Sequence, residues 1–465
     1  MVVVAERAVE WANRPGVDFL AEKRVLVIGL GRSGRAAAEL CCAEGATVSA
    51  MDAKPRKEIA DNCDFLESVG VRLYLGRTEP EMDFDLVVVS PGVPAKQSVL
   101  KEATEKGVPV WSELELAARC ARCHLIAITG TDGKSTTCSL VADMLRAHRK
   151  RVLLGGNFGT PFSALLLQKE FVHSPYVVVE VSSYQLEHVD AFAPQVAAIL
   201  NIAPDHLGRH GSFQKYAATK WRIVQQMSAD GFVVLRNDLA EQIPKDMQPY
   251  PLFYGPTDEG REGAFWDGRK IIWRFNGESI HVPLKPNRKL APPEQENAAA
   301  ALTIAMAAGM ELHRSSKVIE SFKPLPHRLE QVAEFGGVRF VNNSKATNVH
   351  STLAALKSVK PPVVLIAGGE DKGEDFAPLV QAARGKVRMA ILLGQTANTL
   401  AAHLVDATQV QRVGSLGEAV KRACAVARKG DTVLLAPACP SFDMFGSFEE
   451  RGTAFTDLVK ERIAG

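Results

Sequence analysis

No stretch of the 465-residue chain is apolar for the roughly 20 residues that a bilayer-spanning helix needs. Charge of one sign is also missing. The 55 Lys and Arg residues nearly balance the 53 Asp and Glu residues, leaving a net +2. A charge this small argues against a nucleic-acid or membrane surface as the main business of the chain. There is no internal repeat and no low-complexity tract. The eight cysteines are scattered, and Cys120-Ala-Arg-Cys123 is a lone CxxC with no second pair nearby. A closed zinc site requires four ligands, so this segment reads first as a helix end leading into a strand, with metal or redox use as the alternative. Val2-Val-Val4 is too short for the apolar core of a signal peptide, so the expected compartment is the cytoplasm, with the cysteines reduced.

What is present is a globular composition, 46% hydrophobic and 23% charged. The length corresponds to about three domains. The most informative stretch is Leu125-Ile-Ala-Ile-Thr-Gly-Thr-Asp-Gly-Lys-Ser-Thr136. Leu125 to Ile128 reads as a short buried strand. A turn containing Gly130, Thr131, Asp132 and Gly133 follows, and Lys134-Ser135-Thr136 opens a helix continuing through Leu140, Val141, Met144 and Leu145. Strand, glycine loop and helix N-terminus in that order present backbone N–H groups to a phosphate. Lys134 is placed to reach the terminal phosphates and the Ser135 hydroxyl to ligate magnesium. The leading glycine of the full Walker pattern falls at Ile128, so the match is partial.

Upstream, Arg24-Val-Leu-Val-Ile-Gly29 is a strand running into Gly29-Leu-Gly31-Arg-Ser-Gly34 and a helix from Ala36 to Glu44. A second strand, Thr47 to Met51, ends at Asp52. This is a dinucleotide fingerprint, and it fits a nicotinamide dehydrogenase. It fits a UDP-sugar equally well. The glycines require only a phosphate-bearing ligand or close helix packing, and the acid requires only a hydroxylated sugar. Phe84 to Gly92 adds a strand ending in a turn at the same sheet edge, and the first domain ends near residue 120.

Downstream of the phosphate loop, Gly155-Gly-Asn157-Phe-Gly159-Thr-Pro161 is a glycine-rich loop after a strand at Val152. Tyr176-Val-Val-Val-Glu180 is a strand ending in a carboxylate, and the next strand, Val196 to Ile202, opens into Asn201-Ile-Ala-Pro-Asp205-His206. An acid and a histidine at successive strand ends beside a phosphate loop are suited to hold magnesium. Residues 238 to 293 change to short alternating strands with Asp267-Gly268 and Asn276-Gly277 hairpin turns, a small antiparallel excursion. An alanine-rich helix, Glu296 to Ala308, would turn Ala300, Ile304 and Ala307 toward a sheet. Phe322-Lys-Pro-Leu-Pro-His-Arg328 is a stiff connection. Beyond it, strands at 339–341, 363–367, 390–393 and 432–435 carry polar clusters at Asn342–Thr347, Gly368–Gly373 and Pro437–Ser441. Open α/β sheets bind ligands beyond the carboxyl ends of their strands, so these clusters mark a binding face.

The chain resembles the Mur ligases, ATP-dependent enzymes that extend the peptide of the cell-wall precursor. The resemblance rests on Gly130–Thr136, Glu180-Val-Ser-Ser-Tyr-Gln-Leu186, Asp205-His206, Leu325-Pro-His-Arg328 and Ser344-Lys-Ala-Thr-Asn348, and covers about Lys23 to Lys460. It implies an α/β fold of three domains: a Rossmann-like UDP-binding domain (1–120), a central P-loop ATPase-like domain carrying the antiparallel excursion (121–324), and a Rossmann-like C-terminal domain (325–465). Pro437-Ala-Cys-Pro-Ser-Phe-Asp-Met-Phe445 and Phe448-Glu-Glu-Arg-Gly452 are similar to the branch that adds D-glutamate to UDP-N-acetylmuramoyl-L-alanine.

The resemblance implies that Ser33, Gly34, Asp52, Gly92 and Asn157 hold the UDP-sugar, and that Lys134, Ser135, Asn297, Arg328 and Asn343 contact ATP together with the rest of the 130–136 loop. It places Ser135, Glu180, His206 and Lys220 around magnesium, with two metal sites expected. Lys134, Glu180, His206 and Lys220 are its catalytic set, and Lys220 matches a family lysine that is carbamylated by CO2. By its own pattern Lys220 is an ordinary helical lysine belonging on the solvated face. Lys345, Thr347, Lys372, Ser441 and Phe448 would bind D-glutamate. Small-molecule substrates, a monomer, and neither nucleic acid nor membrane insertion are expected. The chain departs from the family at Asn343, where an aspartate is usual, at Gly208, and at Pro293-Glu294, which puts affinities more than reaction class in question. The alternatives are a sister Mur ligase or an amide ligase like folylpolyglutamate synthetase. An NAD-dependent oxidoreductase does not account for the 130–136 loop, and a non-catalytic regulator does not account for Glu180, His206 and Lys220 together.

Overall fold

The computed structural model describes residues 19–76, 83–94, 97–173, 176–266, 270–282, 292–322 and 325–464. Val2–Val4, the Asp267-Gly268 turn and Lys323-Pro324 of the connection lie outside the described residues. The chain is mixed α/β with three sheets. Two compact units are present. One is Met1–Ile202 with Gln214–Lys289 and Glu294–Ser321, and the other is Phe322–Gly465 with Ala203–Phe213 and Leu290–Pro293.

The first sheet contains β1 (Arg24–Ile28), β2 (Thr47–Asp52), β3 (Arg72–Leu75), β4 (Leu86–Val89) and β5 (Val110–Ser112), all parallel, in the order β3-β2-β1-β4-β5. β1 and β4 at its centre are buried apolar runs, as strands covered on both faces are. Helix α1 spans Arg32–Ala43, earlier than the expected start at Ala36. The chain order reverses between β1 and β4, the place where doubly wound sheets open a crevice. Two of the fingerprint glycines serve different ends. A Cβ on Gly34 would fall 1.7 Å from the Gly29 carbonyl oxygen, so Gly34 is what lets α1 close onto the strand end. A Cβ on Gly31 would meet nothing within 4 Å.

The second sheet runs β6 (His124–Thr129), β7 (Val152–Gly156), β8 (Tyr176–Glu180), β9 (Val196–Ile199), β10 (Phe232–Arg236), β11 (Tyr250–Gly255), β12 (Gly263–Trp266), β13 (Ile271–Phe275) and β14 (Glu278–Val282). Its order is β14-β13-β12-β11-β10-β9-β6-β8-β7. The antiparallel excursion is not a separate layer. β12 pairs parallel with β11, and β13 and β14 continue the same sheet as antiparallel strands. Asn276 and Gly277, at φ 52° and 77°, form the expected hairpin turn. Gly155 and Gly156 end β7 rather than starting the loop, and β9 stops at Ile199 rather than Ile202.

One hydrophobic cluster runs from Val25, Val27 and Val88 through Leu114 and Phe162 to Val177 and Ala197, joining the first two sheets. Two buried acids of helix α2 (Glu113–Cys120) complete that joint. Glu113 accepts from the Ser163 amide at 2.6 Å. Glu115 accepts from the Asp190 and Ala191 amides at 3.0 and 2.9 Å and pairs with Arg119. Burial pushes the Glu113 carboxyl above the usual carboxylate range, against the opposing pull of the Ser163 amide. α2 ends at Cys120, as expected of the Cys120–Cys123 segment. All eight cysteines are free thiols, and no group of three or more His, Cys, Asp or Glu among the described residues is arranged to hold a metal.

Helix α3 (Lys134–Ala147) follows β6, α4 (Phe213–Trp221) precedes β10, and α5 (Pro292–Ala307) closes the central region. Ala300, Ile304 and Ala307 of α5 are buried as their spacing predicts. The third sheet has β15 (Glu330–Phe335), β16 (Val338–Asn342), β17 (Val363–Ala367), β18 (Val387–Leu392), β19 (Gln409–Arg412) and β20 (Thr432–Leu435), ordered β15-β16-β20-β17-β18-β19. β15 is an antiparallel edge strand, and neither it nor β19 is marked in the sequence by an apolar run. Alternate residues of the inner strands feed two cores, Leu365, Ala390 and Leu434 on one face and Val364, Ile391 and Val433 on the other. Helix α6 (Val349–Ser358) is capped by Asn348, and α7 (Phe448–Ala464) is the last element. No helix among the described residues is long and apolar enough to cross a membrane.

Replacing Gly34 by Ala forces a Cβ into a backbone carbonyl and is expected to lower stability by about 2–4 kcal/mol. Gly31→Ala is expected to stay within about 0.5 kcal/mol of the parent. Denaturant midpoints of the two variants check this, and equal midpoints would refute the assignment.

Candidate active site

The crevice of the first sheet is a cleft of about 530 Å3 lined by Ser33, Asp52, Gly92, Asn157 and Gly159 among others. The Asp52 carboxylate accepts from the Leu30 amide at 2.7 Å and the Lys54 amide at 2.8 Å, which ties the strand end of β2 to the glycine turn after β1. Across the cleft, Arg32 donates to the Gly159 carbonyl. Of the expected UDP-sugar residues, Ser33, Asp52, Gly92 and Asn157 line this space. Gly34 does not, because it is committed to packing against Gly29.

The phosphate loop is held in shape by its neighbours. Gly130 and Gly133 have φ of 153° and 82°, and a Cβ on Gly133 would sit 2.4 Å from the Asn297 Oδ1. Asn201 braces the turn, with its Oδ1 accepting from the Thr131 and Asp132 amides at 3.1 and 2.9 Å and its Nδ2 donating to the Asp132 carbonyl at 3.1 Å. Thr131 Oγ1 lies 2.9 Å from the Tyr216 hydroxyl. Lys134 folds back, donating to the Gly130 and Thr131 carbonyls at 2.9 and 2.8 Å. Ser135 donates to the Glu180 carboxylate, whose other oxygen accepts from Asn157 Nδ2 at 2.8 Å. Thr136 is half-buried on α3.

Lys220 overturns its sequence pattern. It is 1% exposed, not solvated. Its Nζ donates to the Gly130 carbonyl at 2.9 Å and to Thr129 Oγ1 at 3.4 Å, and lies 4.7 Å from the Tyr216 ring centroid. A lysine this deep beside a phosphate loop needs polar partners to offset the desolvation of its charge, and the loop supplies them. Ser135, Glu180, Asn157, Asn297, Lys134 and Lys220 are therefore gathered around one strand end. The hard oxygens of Ser135 and Glu180 suit magnesium, which binds through one or two protein groups and keeps waters and phosphate oxygens for the rest.

His206, Arg328, Asn343, Lys345, Thr347, Lys372, Ser441 and Phe448 belong to the second unit. Asp205 is the hub near His206. It accepts from Asn348 Nδ2 at 2.9 Å, from the His206 amide at 2.8 Å and from Lys372 Nζ at 3.5 Å. Burial opposes the charge on Lys372, but Asp205 and Glu374 outweigh it and raise the ammonium above its ordinary range. Lys345 Nζ stands 4.0 Å from the Phe448 ring centroid. Asn343 Oδ1 accepts from the Leu329 amide at 3.1 Å, and Thr347 closes a turn onto the Lys345 carbonyl at 2.8 Å. Arg328 is half-buried between His327 and Leu329, which have φ of 62° and 48°. His206 and Ala438 also adopt left-handed backbone, at φ 53° and 60°. Non-glycine residues hold such conformations where surrounding structure over-determines them, typically at functional sites. The Ser441 hydroxyl is buried without a hydrogen-bond partner among the described residues.

Two residues here were not singled out in the sequence reading: Asn201 and Tyr216. Asn201 was read inside a strand running to Ile202, whereas β9 ends at Ile199 and leaves Asn201 in the loop beyond it. The sheet order, which sets β9 beside β6, is what brings it to the loop.

Family models cover these regions. The Mur ligase MurD-like N-terminal domain matches residues 23–112, the Mur ligase middle domain 128–304, and the Mur ligase glutamate ligase domain 327–439. The chain belongs to the Mur ligase family. It is similar to the UDP-N-acetylmuramoylalanine--D-glutamate ligase of Koribacter versatilis, 40% identical over 94% of this chain and 97% of the relative. The enzyme of that name from Myxococcus xanthus is also 40% identical, over 95% and 99%. The fold is shared with solved structures of lower identity. One is a pseudomurein peptide ligase type C from Methanothermus fervidus (18% identity, TM-score 0.60, 95% of this chain and 100% of that one). Another is the UDP-N-acetylmuramate-alanine ligase MurC of Thermotoga maritima (17%, TM-score 0.56, 95% and 100%).

Ser441→Ala removes a buried hydroxyl that has no hydrogen-bond partner among the described residues. It is expected to leave thermal stability unchanged or to raise it by up to about 1 kcal/mol, as measured by thermal denaturation. A loss above about 2 kcal/mol would reveal an intramolecular bond at this hydroxyl.

Proposed function

We propose that this chain joins D-glutamate to UDP-N-acetylmuramoyl-L-alanine at the expense of ATP, in peptidoglycan precursor synthesis. The observation that carries the reading is the Ser135–Glu180 pair at the phosphate loop, in a chain aligned over nearly its whole length with D-glutamate ligases. A carboxylate and an amine do not condense in water at neutral pH, so the carboxylate must first be activated. The alanyl carboxylate attacks the γ-phosphorus of ATP, ADP leaves, and an acyl phosphate forms. The D-glutamate amine then attacks the acyl carbon, phosphate leaves, and the amine's proton is lost.

Bringing two anions together is a large part of the barrier, so cations aimed at the developing charge lower it most. Lys134 is positioned to exchange its loop carbonyls for phosphate oxygens. The rest of the 130–136 loop supplies N–H donors, and Asn297, close against Gly133, is assigned to ATP with Arg328 and Asn343. Asn343 supplies a neutral acceptor where a charged one is usual, and hydrogen bonds to charged groups are worth about 1.5–3 kcal/mol against about 1 for neutral ones. Ser33, Asp52, Gly92 and Asn157 are assigned to the UDP-sugar, with Gly34 supporting them through helix packing. Lys345 and Lys372 match the two carboxylates of D-glutamate, with Thr347, Ser441 and Phe448 completing that subsite. Ser135, Glu180, His206 and Lys220 are assigned to magnesium, which when bound neutralises phosphate charge.

Lys220 as an ammonium would repel a metal, whereas its carbamate is an anion that supports one. Its burial against Gly130 and Tyr216 favours a lysine with a fixed, dedicated role.

Phosphate release from ATP and UDP-N-acetylmuramoyl-L-alanine is expected with D-glutamate and not with L-glutamate, L-lysine or glycine. Release with a different amino acid would keep the reaction class and overturn the substrate, and no release with any would overturn the enzyme reading. Protein equilibrated with carbon-labelled bicarbonate is expected to show one carbamate resonance that Lys220→Arg abolishes. A spectrum identical in the two proteins would reject carbamylation of Lys220.

A further inference from the structure

Arg451, the fourth residue of α7, is 3% exposed and pairs with no carboxylate among the described residues. Its guanidinium is instead spent on neutral oxygens. Nε donates to Ser344 Oγ at 3.0 Å, one terminal nitrogen to the Pro440 carbonyl at 3.1 Å, and the other to the Ser344 and Cys439 carbonyls at 3.0 and 3.1 Å. The Ser344 hydroxyl in turn donates to the Phe448 carbonyl at 2.8 Å.

These acceptors come from two of the three polar strand-end loops, 344–348 and 437–441. The third loop abuts the same point. A Cβ on Gly369 would lie 2.1 Å from the Pro440 carbonyl oxygen and 3.2 Å from a terminal nitrogen of Arg451, and the Glu370 amide donates to Pro440 at 3.1 Å. The loops bearing Lys345 and Thr347, Lys372, and Ser441 therefore meet at one buried guanidinium. Five N–H donors in a rigid plane can register three loops at once, which an ammonium on a flexible stem cannot.

We propose that Arg451 is the positioning residue of the amino-acid subsite. It sets the spacing between the groups that receive the two carboxylates of the amino acid, and it adds a buried positive charge that forms no ion pair among the described residues. This inference rests on the D-glutamate reading of that subsite. Burial pulls the Arg451 pKa down to about 10, so the group is still cationic at neutral pH. A buried cation held by neutral carbonyl and hydroxyl oxygens keeps its field, and a low-dielectric surrounding transmits that field to an arriving dicarboxylate.

The test compares the wild type with Arg451→Lys and Arg451→Met in the phosphate-release assay, with KM determined for each of the three substrates. The expected result is a rise in KM for D-glutamate of about tenfold in Arg451→Lys and about a hundredfold in Arg451→Met. KM for UDP-N-acetylmuramoyl-L-alanine is expected to stay within about twofold and KM for ATP to rise less than that for D-glutamate, because of the residues assigned to those two substrates only Asn343 adjoins these loops. A D-glutamate KM unchanged in a folded variant overturns the proposal, as does an equal rise for all three substrates, which marks a general structural role. If Arg451→Met does not fold, Arg451→Lys decides by the same criteria. A wild type that releases phosphate without regard to D-glutamate overturns the underlying reading and the proposal with it. A responsive wild type with indifferent variants overturns the proposal alone.

Discussion

The hydrogen bond from Ser135 to the Glu180 carboxylate is the constraint around which the larger unit is organised. Glu180 is 1% exposed, and removing a carboxylate from water costs several kcal/mol unless donors surround it. Ser135 supplies one donor from the phosphate loop and Asn157 another from the loop after β7. Gly156 must be glycine for that second loop to come close, since a Cβ there would fall 2.3 Å from the Glu180 carbonyl oxygen. One buried acid thus links the loop that resembles an ATP site with the residue that lines the cleft of the first sheet. The same acid that stabilises the arrangement in the absence of ligand has the charge and the oxygens to accept a divalent cation.

The second unit solves a different electrostatic problem. Positive charges placed together repel and lose hydration. Lys372 is held by Asp205 and Glu374, Lys345 lies over the Phe448 ring, and Arg451 is surrounded by carbonyl dipoles. Three cations are kept by three different devices, an ion pair, an aromatic face and backbone oxygens. Left-handed backbone at His327, Leu329 and Ala438 belongs to the same economy of close-set loops, with conformational strain tolerated where the surrounding contacts dictate the turn.

Departures from the sequence reading have specific causes. β15 and β19 went unmarked because they are edge strands, half-exposed, and so lack the apolar run that betrays β1 or β17. The antiparallel excursion around 263–282 was legible, but alternation reports a half-buried strand and not the sheet to which it belongs, so its continuity with the central sheet was not. Lys220 read as solvated because a lysine four residues after a tyrosine on a helix is ordinarily at the surface. Here the face carrying both meets the 129–131 turn instead. Gly34 was expected at the UDP-sugar from its motif, and its tight fit against Gly29 adds a packing requirement that the motif alone does not reveal.

What the sequence by itself determined is the local grammar: β6, the glycines at 130 and 133 and the start of α3, the burial face of α5, and the polar clusters where strands end. These follow from periodicity and from backbone conformations open mainly to glycine, both properties of a few consecutive residues. Only the tertiary structure decided which of those strand ends became neighbours. Placing β6 between β8 and β9 is what brings Glu180 and Asn201 to the phosphate loop, and placing β20 between β16 and β17 is what lets Arg451 reach Ser344, Cys439 and Pro440 together. Contacts across 45 to 107 residues depend on strand order, and strand order is set by how buried faces pack against one another and not by any short stretch of chain.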